Sequence, residues 1–533
     1  MAQPSFRHAW KSGSPPPGFE FHRRSITKID PLTASAHVLQ DMLTAGEVKS
    51  ADLAEHYISR IEQYNGYLNA VFQYAPGVMQ RAKDMDEKRS QGTVLGPLHG
   101  IPILLKDNMC TTPDLGMHTT GGAVALIGAE CSSNAEVVQK LLDAGAVILG
   151  KTTLSELNFN RDSHLPCSWS AVAGMGQSPY VKGGVDPNDN AGGHSNPGGS
   201  SSGSAIAVAA GLAPIAVGSD TDASLTAPGV RAALYTLRPT LNLVPVRGVL
   251  PMAHSFDTAG PMAKNPRDLA NLLDVLVDPS TTKVPSGGYV SVLDQSWTGI
   301  RIGALDPEIW QYPDWLCKPE EAATQQIIRD TRNAYARVRS LADSFHENVE
   351  LLEATEFMLN GDHSIYTIVA DDFEEDMNGF LSELTKKKFD DLRGMVKWNA
   401  ENVEEALTKE YPGQDKLTGA LETNLSVDAR NETVSHYKRI GASFDEILKK
   451  YDINIIIAPG DCFFCQYGPA NGYPVAALPL TTLDFNGRPI GIQAIAAAHQ
   501  EPLLLKFMSA WEATFPRPVP HGYGDVSPND HSL

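Results

Sequence analysis

No stretch of this 533-residue sequence supplies the long uncharged apolar run that a membrane-crossing helix needs, and the opening MAQPSFRHAWKSGSPPPGFEFHRRS lacks the apolar segment of a secretory signal. A cytoplasmic protein with no membrane partner is therefore expected. Basic residues are also in short supply: 43 Lys and Arg stand against 63 Asp and Glu, a formal net charge of -20. Such a surface repels phosphate backbones, which argues against nucleic acid as an obligatory partner. The six cysteines, Cys110, Cys131, Cys167, Cys317, Cys462 and Cys465, are too sparse in so long a chain for a disulfide scaffold, so reduced thiols are expected. Cys462 and Cys465 form a CxxC, but it encloses Phe463 and Phe464 and has no second pair or histidine cluster, and it reads as two buried apolar thiols. The 15 histidines, including His99, His118, His194 and His254, make no HExxH or other ligand-spaced group, so no metal site is expected.

What the chain does have is a large apolar complement, 42% of its residues, and alternating strand and helix patterns. Residues 1–30, rich in Pro and Gly, read as an arm on the surface. Ser50 is a plausible N-cap for a helix with Leu53, Tyr57, Ile61 and Tyr64 on one stripe, ended by Asn65-Gly66. GPLHGIPILLKDN gives a short strand at Ile103 to Leu105 that exits into Lys106, Asp107 and Asn108. Ser133 with Glu136 forms a capping box for a helix whose apolar face is Val137, Val138, Leu141 and Leu142, closed by Gly145 before the strand AVILG. With the apolar strands near 215 and 454, this alternation predicts an α/β fold with a central sheet covered by helices on both faces. From about 306 to 450 the composition turns to charged and amide residues at helical spacing, an expected helical insertion forming a wall of the substrate pocket. The predicted single domain spans 31–533, with its core at about 70–300 and 451–515, the last part ending in the turn-rich YPVAALPLTTLDFNGRPIGIQAIAAA.

The chemistry concentrates in PGGSSSGSAIAVAAGLAPIAVGSDTDASLTAP, beginning at Pro197. Ser201 satisfies G-x-S-x-G, but a nucleophile elbow needs a strand directly before the serine, and GGHSNPGG consists of turn formers. The alternative is a serine activated by lysine. A lysine can act as base only when burial and neighbouring dipoles lower its pKa and leave it neutral, and Lys106, at the end of an apolar strand, suits that burial. A second serine in a glycine-rich turn can relay the proton in both directions.

These segments resemble the amidase signature family, through PGGSSSGSAIAVAAG and AVGSDTDASL and through GPLHGIPILLKDN, AGAVILGKTTLSELN, RAALYTLRPTLNLVPVRGVLP, HSFDTAGPMAKNPRDLA, GYPVAALPL and GRPIGIQ. The resemblance implies an amidase signature fold with a mixed central sheet. It also implies a triad of Lys106, the cis-serine Ser200 and the nucleophile Ser224, with backbone N–H groups of Thr221, Asp222, Ala223 and Ser224 as the oxyanion hole. Ser201 is then a supporting hydrogen-bonder at the substrate site, and the backbone around Met175 helps hold the substrate. Two departures stand out. Ala223 replaces the glycine before the nucleophile, which costs ~1 kcal/mol if that position requires a positive φ. Thr226 replaces an arginine whose acidic partner survives as Asp220, and Arg231 is the candidate new partner. The implied activity is hydrolysis of a carboxamide C–N bond through an acyl-enzyme, with a small-molecule amide or acyl substrate and no cofactor. An acyl-transferring biosynthetic variant, a glutamine-dependent tRNA amidotransferase subunit and a catalytically impaired binding protein are the rivals, and a homodimer is left open.

Overall fold

The computed structural model describes residues 29–520, so most of the expected arm, residues 1–28, lies outside the described residues. Eleven strands form one mixed sheet: β1 (Val71–Tyr74), β2 (Pro102–Lys106), β3 (Val147–Thr152), β4 (Ile215–Asp220), β5 (Tyr235–Arg238), β6 (Thr258–Ala263), β7 (Arg301–Ala304), β8 (Ser344–Glu347), β9 (Ile455–Pro459), β10 (Val475–Thr482) and β11 (Pro489–Ile495). Their order is β1-β3-β2-β4-β6-β5-β10-β11-β9-β7-β8. β2 lies parallel to both β3 and β4, whereas the strands from β4 through to β9 pair antiparallel. Every residue of β2, β3, β4, β6, β9 and β11 is buried, which is why these strands are mainly apolar and do not alternate with polar residues: helices cover both faces.

The helix Ser202–Ala209 is buried at all eight positions between β3 and β4, and its small residues are the reason it fits. A Cβ at Gly203 would stand 2.5 Å from the carbonyl oxygens of Ala70 and Thr153. Ser204 reaches both neighbours, its hydroxyl 2.8 Å from Thr152 Oγ1 and 3.1 Å from the carbonyl of Val217. This close seating sets the distance between the serine turn at its N-terminus and the ends of β2 and β4.

Several local expectations shift. The helix expected from an N-cap at Ser50 takes Lys49 as its cap, with Ser50 N–H donating to Asp86. It also runs past Asn65-Gly66 to Leu68, ending at Asn69 with φ 47°. Asn65 instead accepts from the N–H groups of Ala70 and Val71 and so shapes the turn into β1. The capping box at Ser133 does not form; the helix is Glu136–Asp143, capped at Ala135, and Glu136 N–H donates to the carbonyl of Arg247. The tail read as turn-rich holds the hairpin β10–β11, with Pro479 at a register shift where a missing N–H is tolerated. Within 306–450 lie Glu321–Arg339, Ser364–Ser382, Leu392–Glu401, Asp415–Glu422 and Val427–Lys450, but so does β8, joined in parallel to β7. A second apolar cluster, including Phe357, Ile368, Tyr437 and Phe444, seats the helical layer on β9 to β11.

Cys110 and Cys131 are joined as a disulfide, contrary to the expectation of reduced thiols throughout. The fold brings their Cα atoms to 5.8 Å, inside bonding range, although nothing in their sequence spacing announces a pair. Cys462 and Cys465 are free and buried. Among the described residues, no helix is long and apolar enough to cross a membrane.

Peptide mapping without reductant is expected to recover Cys110 and Cys131 in one linked fragment; two separate thiol peptides from fresh protein would contradict the pairing. Gly203→Val is expected to destabilise the fold by about 1–3 kcal/mol through overpacking, read as a lowered thermal midpoint.

Candidate active site

β2 and β4 run side by side and both leave the sheet at the same edge, β2 into Lys106-Asp107-Asn108 and β4 into Ser219-Asp220. The side chain of Lys106 is fully buried there. Its Nζ donates to Ser200 Oγ at 2.7 Å and to Ser219 Oγ at 2.9 Å, and Ser200 Oγ donates to Ser224 Oγ at 3.0 Å. Lys106, Ser200 and Ser224, the three residues carried over by resemblance, thus form one continuous hydrogen-bonded chain, and the Gly199–Ser200 peptide bond is cis. Burial pushes the Lys106 amine down from its usual value to about 7, with Asp220 and Asp257 acting in the opposite sense.

Ser219, which the sequence did not single out, and Asn108, read there only as part of the polar exit of β2, complete this arrangement. Asn108 Nδ2 donates to Ser219 Oγ at 2.8 Å and lies 3.2 Å from Asn158 Oδ1, while Asn158 donates to the carbonyl of Leu250. The available signal was the same on both strands: an apolar run breaking into polar residues at its exit.

Ser201 lies fully buried, its hydroxyl donating to the carbonyl of Ser219 and accepting from the Ser219 N–H. These contacts lock the serine turn to β4 and leave no elbow-like exposure. Ser201 N–H also donates to the carbonyl of Ser224, drawing the two serine segments together.

After β4 the chain passes through Thr221, Asp222, Ala223 and Ser224 into the helix Thr226–Arg231. Among the described residues, the four N–H groups from Thr221 to Ser224 donate to no protein acceptor, whereas that of Leu225 donates to Asp220 Oδ2 at 2.6 Å. The segment is braced from behind: Thr221 Oγ1 donates to Asp257 Oδ1 at 2.6 Å, and Asp257 Oδ2 accepts from Met252 and Ala253. The φ of Ala223 lies outside the left-handed region, so its methyl group carries no backbone strain. The conditional cost assigned to replacing glycine there does not arise.

Asp220 pairs with Arg238, at 2.9 Å, and not with Arg231. Arg238 ends β5, beside β6 and β10, and its guanidinium also donates to the carbonyls of Asp220, Thr221 and Phe256. Arg231, at the end of the short helix, points away to Asp461, at 3.3 Å, and to the carbonyls of Gly193 and Asn196. Sequence proximity favoured Arg231; strand pairing delivers Arg238.

Met175 sits in a two-residue strand paired with Trp169–Ser170 and packs in a cluster with Leu165, Trp169 and Ala171, its carbonyl held by Asn69. Gly199 stands next to this region, since a Cβ there would lie 3.5 Å from Cys167 Cβ. Tyr366, on the helix Ser364–Ser382, reaches across to donate to Asp222 Oδ2 at 2.9 Å. One group with metal-ligand geometry occurs among the described residues, Asp162, His164 and Asp415, two of them exposed. Its carboxylates already accept from the N–H groups of His164 and Ser163.

A family profile described as Amidase matches residues 52–505. A candidate amidase of Schizosaccharomyces pombe is 31% identical over 517 residues, covering 90% of this chain and 85% of that protein. The A subunit of a glutamyl-tRNA(Gln) amidotransferase from Symbiobacterium thermophilum is 36% identical over 302 residues, 55% of this chain and 58% of that one. Among solved structures, native peptide amidase from Stenotrophomonas maltophilia is similar with a TM-score of 0.79 and 29% identity, over 93% of this chain and 99% of that one. The mixed sheet with its two helical coverings agrees with that likeness, and the match runs through every segment of the site: the chain belongs to the amidase family and is an amide-hydrolysing enzyme.

Proposed function

We propose that the enzyme cleaves a carboxamide C–N bond with Ser224 as nucleophile, Ser200 as proton relay and Lys106 as base. The observation that carries this reading is the unbroken chain from Lys106 Nζ through Ser200 Oγ to Ser224 Oγ, at 2.7 and 3.0 Å. An alcohol attacks only when its proton has somewhere to go, and an amine lowered to about 7 is neutral in a large fraction of molecules near neutral pH. In that state the 2.7 Å contact reverses: Nζ accepts the Ser200 proton while Ser200 Oγ takes the proton of Ser224. Lys106 keeps an N–H directed at Ser219 Oγ, which leaves its lone pair for Ser200.

Ser224 Oγ then bonds to the carbonyl carbon, and the oxygen gains negative charge. The free N–H groups between Thr221 and Ser224 are the donors that would meet that charge, a preorganised donor being worth about 3 kcal/mol. As the C–N bond breaks, Ser200 returns a proton to the departing nitrogen and recovers one from Lys106. The acyl-enzyme remains as an ester on Ser224. Water repeats the sequence in the other half, its proton passing along the same chain, and the acid leaves. Likeness to the peptide amidase supports a primary amide of a peptide-like molecule as the substrate class.

Ser224→Ala, Ser200→Ala and Lys106→Met are each expected to lower kcat roughly a thousandfold or more on a hydrolysed primary amide, with near-native circular dichroism. Near-normal kcat in Ser200→Ala would remove the relay from the mechanism.

A further inference from the structure

Asp222 is half-buried and Tyr366 is exposed, 40% of its surface open, and the two meet where the segment after β4 faces the helical layer. Cys167 is partly accessible and lies within electrostatic reach of Asp222. The accessible space beside the nucleophile is thus bordered by the segment Thr221–Ser224, by Tyr366 of the helical layer and by Cys167.

Asp222 brings an acid into this space. Its Oδ2 accepts from the Tyr366 hydroxyl, and among the described residues no donor meets Oδ1. The cations nearby are committed elsewhere. Arg238 is bound to Asp220 and to the carbonyls of Asp220, Thr221 and Phe256. Lys416 donates to the carbonyl of Phe159 and sits 4.4 Å over that ring. Tyr366 fixes which carboxylate oxygen is left open, and an ammonium reaching that oxygen would make a charge-assisted hydrogen bond. One residue separates Asp222 from Ser224, so their Cα atoms lie within about 7 Å. A donor bound at Oδ1 belongs to a substrate atom close to the carbonyl under attack.

We propose that Asp222 is a specificity residue whose open carboxylate oxygen receives a nitrogen donor on the acyl part of the substrate, the α-amine of an amino-acid amide. This rests on Ser224 acting as the nucleophile. Tyr366 is the positioning residue: its hydroxyl orients the carboxylate and ties recognition to the helical layer.

The test compares kcat/KM for L-phenylalaninamide and 3-phenylpropanamide, which share bulk and differ in the amine. Wild type, Asp222→Asn and Tyr366→Phe are assayed at pH 7, with fluorophosphonate labelling of Ser224 as a separate reading. Wild type is expected to prefer the amino amide by at least about tenfold, and both variants to shrink that ratio toward one. The ratio is the readout because any loss common to both substrates cancels in it. Equal rates on the two amides, an unchanged ratio in Asp222→Asn, or a labelled enzyme that hydrolyses neither would overturn the proposal while leaving Ser224 as nucleophile. Failure of Ser224 to label, with no hydrolysis, would overturn both.

Discussion

Removing one amine from water is the constraint on which the site depends. Lys106 in solvent would hold its proton through the physiological range and could take none from a serine. Desolvation at the end of β2 disfavours the ammonium, yet Asp220 and Asp257 are near enough to offset part of that effect. The balance leaves the amine near neutrality. The same balance explains why Asp220 is held so firmly by Arg238 and the Leu225 N–H: those donors direct its charge away from the lysine.

Dry packing around a lysine demands close neighbours, and small residues provide them. The all-buried helix Ser202–Ala209, with Gly203 against two carbonyls, brings the serine turn down onto β3 and β4. Ser201 then spends its hydroxyl on the Ser219 backbone, which leaves Ser200 as the hydroxyl that meets both Lys106 and Ser224. The sheet thus fixes the residues proposed as base and relay, while the helical layer adds Tyr366 from across 144 residues of chain.

Legibility followed the range of the interaction. The α/β architecture and the covered sheet could be read because apolar runs and helical stripes are local patterns. Lys106, Ser200 and Ser224 could be named because their segments resemble a known family; their burial could only be anticipated. Arg238 was missed because choosing between two arginines needs strand pairing, and the Cys110–Cys131 bond because it depends on loops meeting in space. Tyr366 had no signal at all, being one aromatic in a long amphipathic helix. The helix caps at Ser50 and Ser133 were misread for a smaller reason: Asp86 and the Arg247 carbonyl satisfy the first N–H groups from outside the helix.

The pH dependence of Ser224 acylation by a fluorophosphonate tests the role of Lys106 most directly. Below its pKa the amine is charged and cannot accept a proton; above it the amine is neutral and can. Labelling rates should therefore rise with pH through a midpoint near about 7, and that rise should vanish in Lys106→Met, whose labelling is slow at every pH. A wild-type rate flat across this range, or a Lys106→Met enzyme that keeps both the rate and the midpoint, would contradict a buried lysine as the base.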